Sequence, residues 1–422
     1  MREEKVIAGL DVGSTAIKMV LGTLIPGMKD RPETLQIVGK VVVPGEGISK
    51  GVVTSIEDAV SSVSSAIEQA ERIIGKPLGS VWVGMGGAHI KSEISRGVIA
   101  VAKGNEIQEN DVERALEAAR VIASPPNHEI LHVIPHGFSI DGQEGVKNPV
   151  GFSGVRLEVE AHILQGLSSQ INNLVKVVHR TGLEVEDVIV SVLATAESVL
   201  TARQKDLGVV LVNIGGSTTS IAVFEEGDIM QVVVLPVGSG HITGDIALGL
   251  RCAIDTAEKI KLATGTAESD EVSKHEEVDM SGFDASENAR IPRRNITTII
   301  EARVEEIFEM IDDELKKINR SGMLPAGAVL TGGGAKLPGI VAAGKKHLRL
   351  PVMLGYPQDR LSTVDDVYDL SLTTAIGLVE WGFASEKRYT RNFGGVFEFF
   401  KKYVKTGQKG GVLKKTLKSF IP

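Results

Sequence analysis

Leu10-Asp-Val-Gly-Ser-Thr-Ala-Ile-Lys-Met-Val20 returns just past the middle of the chain as Val212-Asn-Ile-Gly-Gly-Ser-Thr-Thr-Ser-Ile-Ala-Val223, with one glycine added. Each copy reads as an apolar strand, a Gly-Ser/Thr turn and a second alternating strand, the pattern of a β-hairpin closed by a glycine-rich loop. Two such hairpins, each opening half of the chain, predict a duplicated α/β domain.

Working outward, a strand over 35–43, a helix over 56–74 and a strand over 80–85 follow the first hairpin. A strand over 229–237 and helices over 242–250 and 255–263 follow the second, so the halves share a plan. Between them, residues 88–165 read as a strand, a helix over 110–122 and two strands, punctuated by Pro125-Pro126 and Lys147-Asn-Pro149, which marks an inserted subdomain. Residues 266–290 are acidic and serine-rich with few apolar side chains, and are expected to form a mobile loop. From 295 to 318, Ile296, Ile300, Val304, Ile307, Phe308, Ile311 and Leu315 recur at helical spacing, giving a long amphipathic helix.

A chain of 422 residues with 42% apolar content can bury a large core and is expected to form more than one domain. Its single cysteine, Cys252, excludes an intrachain disulfide and fits a reducing compartment. The first ten residues are too charged for a signal peptide, and no apolar run reaches the ~20 residues of a spanning helix. Net charge is −8, but residues 387–422 hold ten Lys and Arg against the single acid Glu398, so a body of −17 carries a tail of +9. An acidic body disfavours nucleic acid as a partner and makes the basic end the informative departure.

A phosphate chain needs backbone N–H donors at close range, and glycine permits the turns that aim several at one point. Gly13-Ser14-Thr15 and Gly215-Gly216-Ser217-Thr218 suit this role. A third cluster, Thr331-Gly332-Gly333-Gly334, follows an apolar strand and is expected to precede a helix whose positive end would lie beside the ligand. Any one of these loops is commonest as a plain turn; their duplication, order and matching strand contexts favour a shared nucleotide. Asp11, at a strand end beside the first loop, can hold Mg2+ through waters. Its counterpart Asn213 can orient a metal-bound water but adds no charge. Lys18 can reach a phosphate or face solvent. No Ser/His/Asp triad or Cys/His metal cluster stands out.

These residues resemble the actin, Hsp70 and sugar kinase superfamily, and within it the FtsA family of bacterial cell-division proteins, essentially end to end. The superfamily pattern lies in Leu10–Thr15, Asn213–Thr219 and Leu330-Thr-Gly-Gly-Gly-Ala-Lys336. The family-specific part lies in Ser139-Ile-Asp-Gly-Gln-Glu-Gly-Val-Lys-Asn-Pro149, Gly154-Val-Arg-Leu-Glu158 and Gly240-His-Ile-Thr-Gly-Asp-Ile-Ala-Leu-Gly-Leu-Arg251.

The resemblance implies a two-lobed, actin-like α/β ATPase fold. Subdomain 1A would take residues 1–84, 166–203 and 363–386, the inserted subdomain 1C 85–165, subdomain 2A 204–238 and 328–362, subdomain 2B 239–327, and the membrane-targeting tail 387–422. ATP with Mg2+ would lie between the lobes, with Lys336 beside the third loop and with Glu258 and Lys261 on the helix that faces adenine. Glu197 would align with the position that orients attacking water; a lone glutamate at a helix start also serves as a dipole partner. Hydrolysis, if any, would be slow. Arg303, with Arg293 and Arg294, would grip the acidic C-terminal peptide of the tubulin-like FtsZ, since arginine offers bidentate contacts to carboxylates. Pairing of Arg303 with Glu301, Glu305 or Glu306 is the plain alternative. Self-polymerisation, later divisome proteins as partners and the cytoplasmic face of the membrane at the septum complete the expectation.

The tail has two helix-period segments. Phe393, Val396, Phe397, Phe400 and Val404 form one stripe beside Lys401, Lys402 and Lys405. Leu413, Leu417, Phe420 and Ile421 form the other, with Lys414, Lys415 and Lys418 on its remaining faces. At ~1.5–3 kcal/mol per buried apolar side chain and ~1 per lysine near anionic lipid, either segment binds a membrane reversibly. Polymerisation would multiply such anchors. The sequence leaves open which segment inserts. Two other functions compete: a small-molecule kinase would need an acceptor pocket with a catalytic carboxylate, for which no motif stands out, and residues 139–149 argue against the related pilus-assembly ATPase adaptor.

Overall fold

The computed structural model describes residues 5–25, 34–101, 106–122, 126–284, 289–358 and 361–390, with side chains through 385 in the last stretch. The tail residues named above, from Phe393 to Ile421, lie outside the described residues.

Two sheets carry the duplication. In the first lobe the strand order is Glu184–Val190, Ser80–Met85, Val6–Val12, Ala16–Ile25, Thr34–Pro44, with Leu361–Ser362 added at the edge. The first hairpin and Thr34–Pro44 pair antiparallel, whereas Ser80–Met85 and Glu184–Val190 extend the sheet in parallel. In the second lobe Val352–Leu354, Ala328–Thr331, Val209–Ile214, Thr219–Glu225 and Asp228–Leu235 repeat that order and those directions. Parallel neighbours require crossover connections, and helices supply them.

The helix Ile56–Ile74 shows why such segments form. Ser55 accepts a hydrogen bond from the Asp58 amide at its start, Gly75 closes it in a left-handed conformation, and Ala59, Val63, Ala66, Ile67 and Ala70 are buried at helical spacing.

The lobes share packing. Leu211, Ala222 and Phe224 on one face of the second sheet join the core that holds Leu193, Val199 and Leu378, while Val210, Val212 and Val223 face the second lobe's own core. Burial on both faces explains why 209–212 is continuously apolar rather than alternating. Two helices, Ser191–Val199 and Thr373–Thr390, cross at this junction. Their approach is so close that a Cβ at Gly377 would stand 1.8 Å from the Ala194 carbonyl oxygen. Ser198 Oγ donates to the Thr373 carbonyl at 2.7 Å, and the Thr195 and Thr374 hydroxyls lie 2.8 Å apart.

The inserted segment builds a separate sheet in the order Lys91–Ala100, Arg156–Leu167, His128–Ile140, Gln143–Val146, backed by the helix Glu109–Ile122. The fourth, short strand was not read from the sequence, because Gln143–Val146 is mostly exposed and carries little apolar pattern. Lys147, on the loop that follows it, donates to the Glu226 carbonyl of the second lobe at 2.6 Å.

The described part of 266–290 is not a structureless loop. Short turns at Ser269–Glu271 and Met280–Gly282 flank Glu277–Asp279, which pairs with Arg290–Pro292. Val278 and Met280 anchor this ribbon in the second-lobe core. Two well-placed apolar side chains outweigh the polar composition that suggested mobility. Among the described residues no helix is long and apolar enough to cross a membrane.

Candidate functional site between the lobes

Asp11 and Asn213 occupy the same place in the repeat, each next to last in the first strand of its hairpin. Lys18 is the cross-strand neighbour of Asp11, and its ammonium lies 3.4 Å from the carboxylate. The two hairpin loops meet across the junction. Ser217 Oγ donates to Ser14 Oγ at 2.7 Å, and a Cβ at Gly216 would fall 2.0 Å from Thr15 Oγ1. Gly13–Thr15 and Gly215–Thr218 therefore converge on one point.

The third loop joins them through the sheet. Thr331 is the register partner of Asn213, and the chain then turns at Gly332 with φ +87°, where a Cβ would stand 2.3 Å from Asn213 Oδ1. Only glycine accommodates both the left-handed backbone and that approach. The expected helix directly after this loop is instead a single tight turn, Gly333–Lys336; the α-helix begins at Ile340, after Pro338 and a left-handed Gly339. No long helix points its positive end from 333. Another helix does approach the cleft: the Ser239 and Gly240 amides, in the first turn of Ser239–Leu250, donate to the Gly215 and Gly216 carbonyls at 2.9 and 2.7 Å. The Gly238-Ser239-Gly240 signal for this contact was present in the sequence but unused.

Asn213 is held from beneath. Its amide nitrogen lies 3.1 Å from Thr374 Oγ1 and 3.4 Å from Thr195 Oγ1. The site is thus bonded to the two crossing helices. Isolated threonines in apolar helices carry no sequence signal for such a role.

Lys261 is buried, and its ammonium contacts Glu258 at 2.6 Å, Thr243 Oγ1 at 2.8 Å and the Ser239 carbonyl at 3.3 Å. Glu258 also accepts from Thr243. The pair clamps the helix Ile254–Thr264 onto the start of Ser239–Leu250. Lys336 pairs with Asp369 at 2.7 Å. Burial pushes the Asp369 carboxyl upward, but Lys336 and Ser371 outweigh it and hold the group below the usual range.

Glu197 lies near the end of the helix Ser191–Val199, not at its start. A carboxylate there opposes the helix dipole, and Lys205 compensates at 2.6 Å while lying over the Phe224 ring.

The three arginines of the helix Arg293–Lys317 do not form one cluster. Arg303 binds Asp245 through two nitrogens, at 2.6 and 2.9 Å, and also meets Glu306. Hydrogen bonding to Asp245 raises its already high pKa. Arg293 donates to the Thr264 carbonyl and to Glu276, each at 2.7 Å, and Arg294 to Asp270 at 2.6 Å. Arg294 and Arg303 are nine residues apart, which places them on opposite sides of the helix. Of the acids suggested by helical spacing, Glu306 pairs with Arg303; the partner from another element, Asp245, was invisible to local reading.

A chain from Pseudomonas aeruginosa described as "Cell division protein FtsA" is 36% identical over 378 residues, covering 90% of this chain and 89% of its own length. This chain belongs to the FtsA family. The family's models match residues 87–165, described as "SHS2 domain inserted in FTSA", and 210–377, described as "Cell division protein FtsA". In the FtsA-family chain the first match falls on the four-stranded insertion and the second runs from the second hairpin to the crossing helix Thr373–Thr390. Two solved structures share the fold. The "PilM-PilN type IV pilus biogenesis complex" aligns with a TM-score of 0.64 at 15% identity, covering 89% of this chain and 98% of that one. MreB5 of Spiroplasma citri bound to ADP aligns with a TM-score of 0.53 at 14% identity, covering 92% and 99%. The architecture is a two-lobed, actin-like α/β fold with the FtsA insertion.

Proposed function

We propose that this FtsA-family chain binds ATP with Mg2+ between its lobes, polymerises, and tethers FtsZ filaments to the inner face of the cytoplasmic membrane at the septum, where later divisome proteins join it. The observation that carries the nucleotide part is the meeting of Ser14 and Ser217 across the lobes, beside the Gly332 turn. Three glycine-rich loops with their amides and hydroxyls at one point suit a triphosphate, and Asp11 suits a water-held Mg2+ beside it. The fold-mate from Spiroplasma citri holds ADP. Lys18 and Lys336 would then exchange their present carboxylate partners for phosphate oxygens.

Glu258 and Lys261 would border the base, and Glu197 would orient water only for slow turnover. Arg303 would meet the acidic FtsZ peptide after leaving Asp245, with Arg293 further back along the helix as a flanking contact, while Arg294, on the opposite side of the helix from Arg303, drops out of that surface. Phe393, Phe397 and Phe400, or Leu413, Leu417, Phe420 and Ile421 with Lys414, Lys415 and Lys418, would enter the membrane. The subdomain limits given above are part of the same reading. The pilus-assembly adaptor shares the fold at 15% identity, whereas family membership rests on 36% identity across the chain and favours division.

Two experiments test this. Titration with a fluorescent ATP analogue should give saturable, Mg2+-dependent binding that Asp11→Ala weakens; no binding to the full chain would overturn the nucleotide part. Liposome co-sedimentation with ATP and FtsZ should pellet the full chain better than chains ending at Gly411 or Asn392, and equal pelleting of all three would overturn the membrane part.

A further inference from the structure

We propose that Ser14 and Gly51 form a contact relay that reports occupancy of the phosphate loops to the base of the inserted subdomain. The proposal rests on the nucleotide reading above and adds to it a route from the cleft to a distant part of the chain.

Ser14 Oγ holds two partners from different places. It accepts from Ser217 Oγ of the other lobe at 2.7 Å and from the Gly51 amide at 3.3 Å. Gly51 closes the small hairpin whose strands are Ile48–Ser49 and Val52–Val53, with φ +74°. On its other side Gly51 presses against the chain just before the insertion. A Cβ there would stand 2.5 Å from the Gly86 carbonyl oxygen and 2.7 Å from Gly87 Cα. A contact that tight, backbone on backbone, transmits a shift of one segment to the other.

Residues 86–91 are one of two chain crossings into the insertion, and 165–168 are the other. Their packing is mutual: a Cβ at Gly166 would lie 3.3 Å from the His89 ring. Among the described residues, the buried Gln165 amide and both His89 ring nitrogens have no hydrogen-bond partner. The backbone of the crossings is tied by the strand ladder, with Gln165 opposite Lys91 and Ile130, while these side chains are held by packing, so a small shift of the 86–91 turn breaks no side-chain hydrogen bond of theirs.

A phosphate oxygen that accepts the Ser217 proton takes that hydroxyl from Ser14, and one that accepts the Ser14 proton draws Ser14 Oγ toward the ligand and away from the Gly51 amide. Loosening of the Gly51 amide frees the hairpin tip, and the tip carries the 86–87 backbone with it. The insertion thereby senses the cleft although it contributes none of the three loops.

Hydrogen–deuterium exchange on the full chain, with and without Mg2+ and the non-hydrolysable analogue AMPPNP, tests the relay. Expected are slower exchange in 13–15 and 215–218 and a change of about threefold or more in 86–91. Gly51→Ala should keep the loop protection and lose the response at 86–91. A full-sized response in that variant, or protected loops with no response in the wild type, would overturn the relay. Absence of protection at both loops would overturn the nucleotide reading and the relay with it. Should Gly51→Ala fail to fold, Ser14→Ala without nucleotide decides: exchange must rise in both 48–53 and 86–91, and a rise in 48–53 alone rejects the coupling.

Discussion

Arg303 grips Asp245 through two guanidinium nitrogens, joining the helix Arg293–Lys317 to the helix Ser239–Leu250. Both side chains are mostly shielded, at 23% and 30% exposure, so the pair is stronger than a surface ion pair. Asp245→Ala should cost about 1–2 kcal/mol in thermal or denaturant unfolding. It should also release the guanidinium and raise affinity for a labelled FtsZ C-terminal peptide in fluorescence anisotropy, whereas Arg303→Glu should lower it. Peptide affinity indifferent to both substitutions would remove Arg303 from the partner surface.

Asn213→Asp supplies the carboxylate that the second repeat lacks. The Thr195 and Thr374 hydroxyls that face the amide nitrogen can donate to a carboxylate oxygen instead. We expect tighter Mg2+ dependence and ATP turnover raised by about tenfold in a phosphate-release assay. A lower rate with intact nucleotide binding would show that Asn213 acts through its N–H.

Gly377→Ala tests the crossing of the two junction helices. A methyl group 1.8 Å from the Ala194 carbonyl cannot be housed without moving a backbone. Unfolding free energy should fall by about 3 kcal/mol, or the chain should fail to accumulate. A variant with unchanged melting would mean that the helices cross less tightly.

His162 gives a pH dependence. Burial, with help from the neighbouring His136, pushes its pKa down to about 4, against a small opposing pull from Glu160. The unfolded chain therefore binds this proton more readily than the folded one. Stability should rise with pH from about 4 to the ordinary value of 6.5 and be flat above, an effect on the order of 3 kcal/mol. His162→Gln should flatten that rise in urea titrations, and an unchanged slope would assign it to other groups.

The sequence alone determined the elements and their duplication. Helix 56–74 and strand 80–85 match the structure residue for residue, because apolar period and capping residues act within a few neighbours. The three glycine loops were legible for the same reason: Gly-Ser-Thr after an apolar strand is a local signal. Only the tertiary structure decided what those residues meet. It bonded Ser14 to Ser217, Asn213 to the two junction helices and Arg303 to Asp245. It paired Glu277–Asp279 with Arg290–Pro292 in a ribbon on the second-lobe core and placed Glu197 near the end of its helix rather than at the start. Such contacts join residues from 18 to more than 200 positions apart, and no periodicity records them. They are set by how two sheets, each buried on both faces, pack against shared helices.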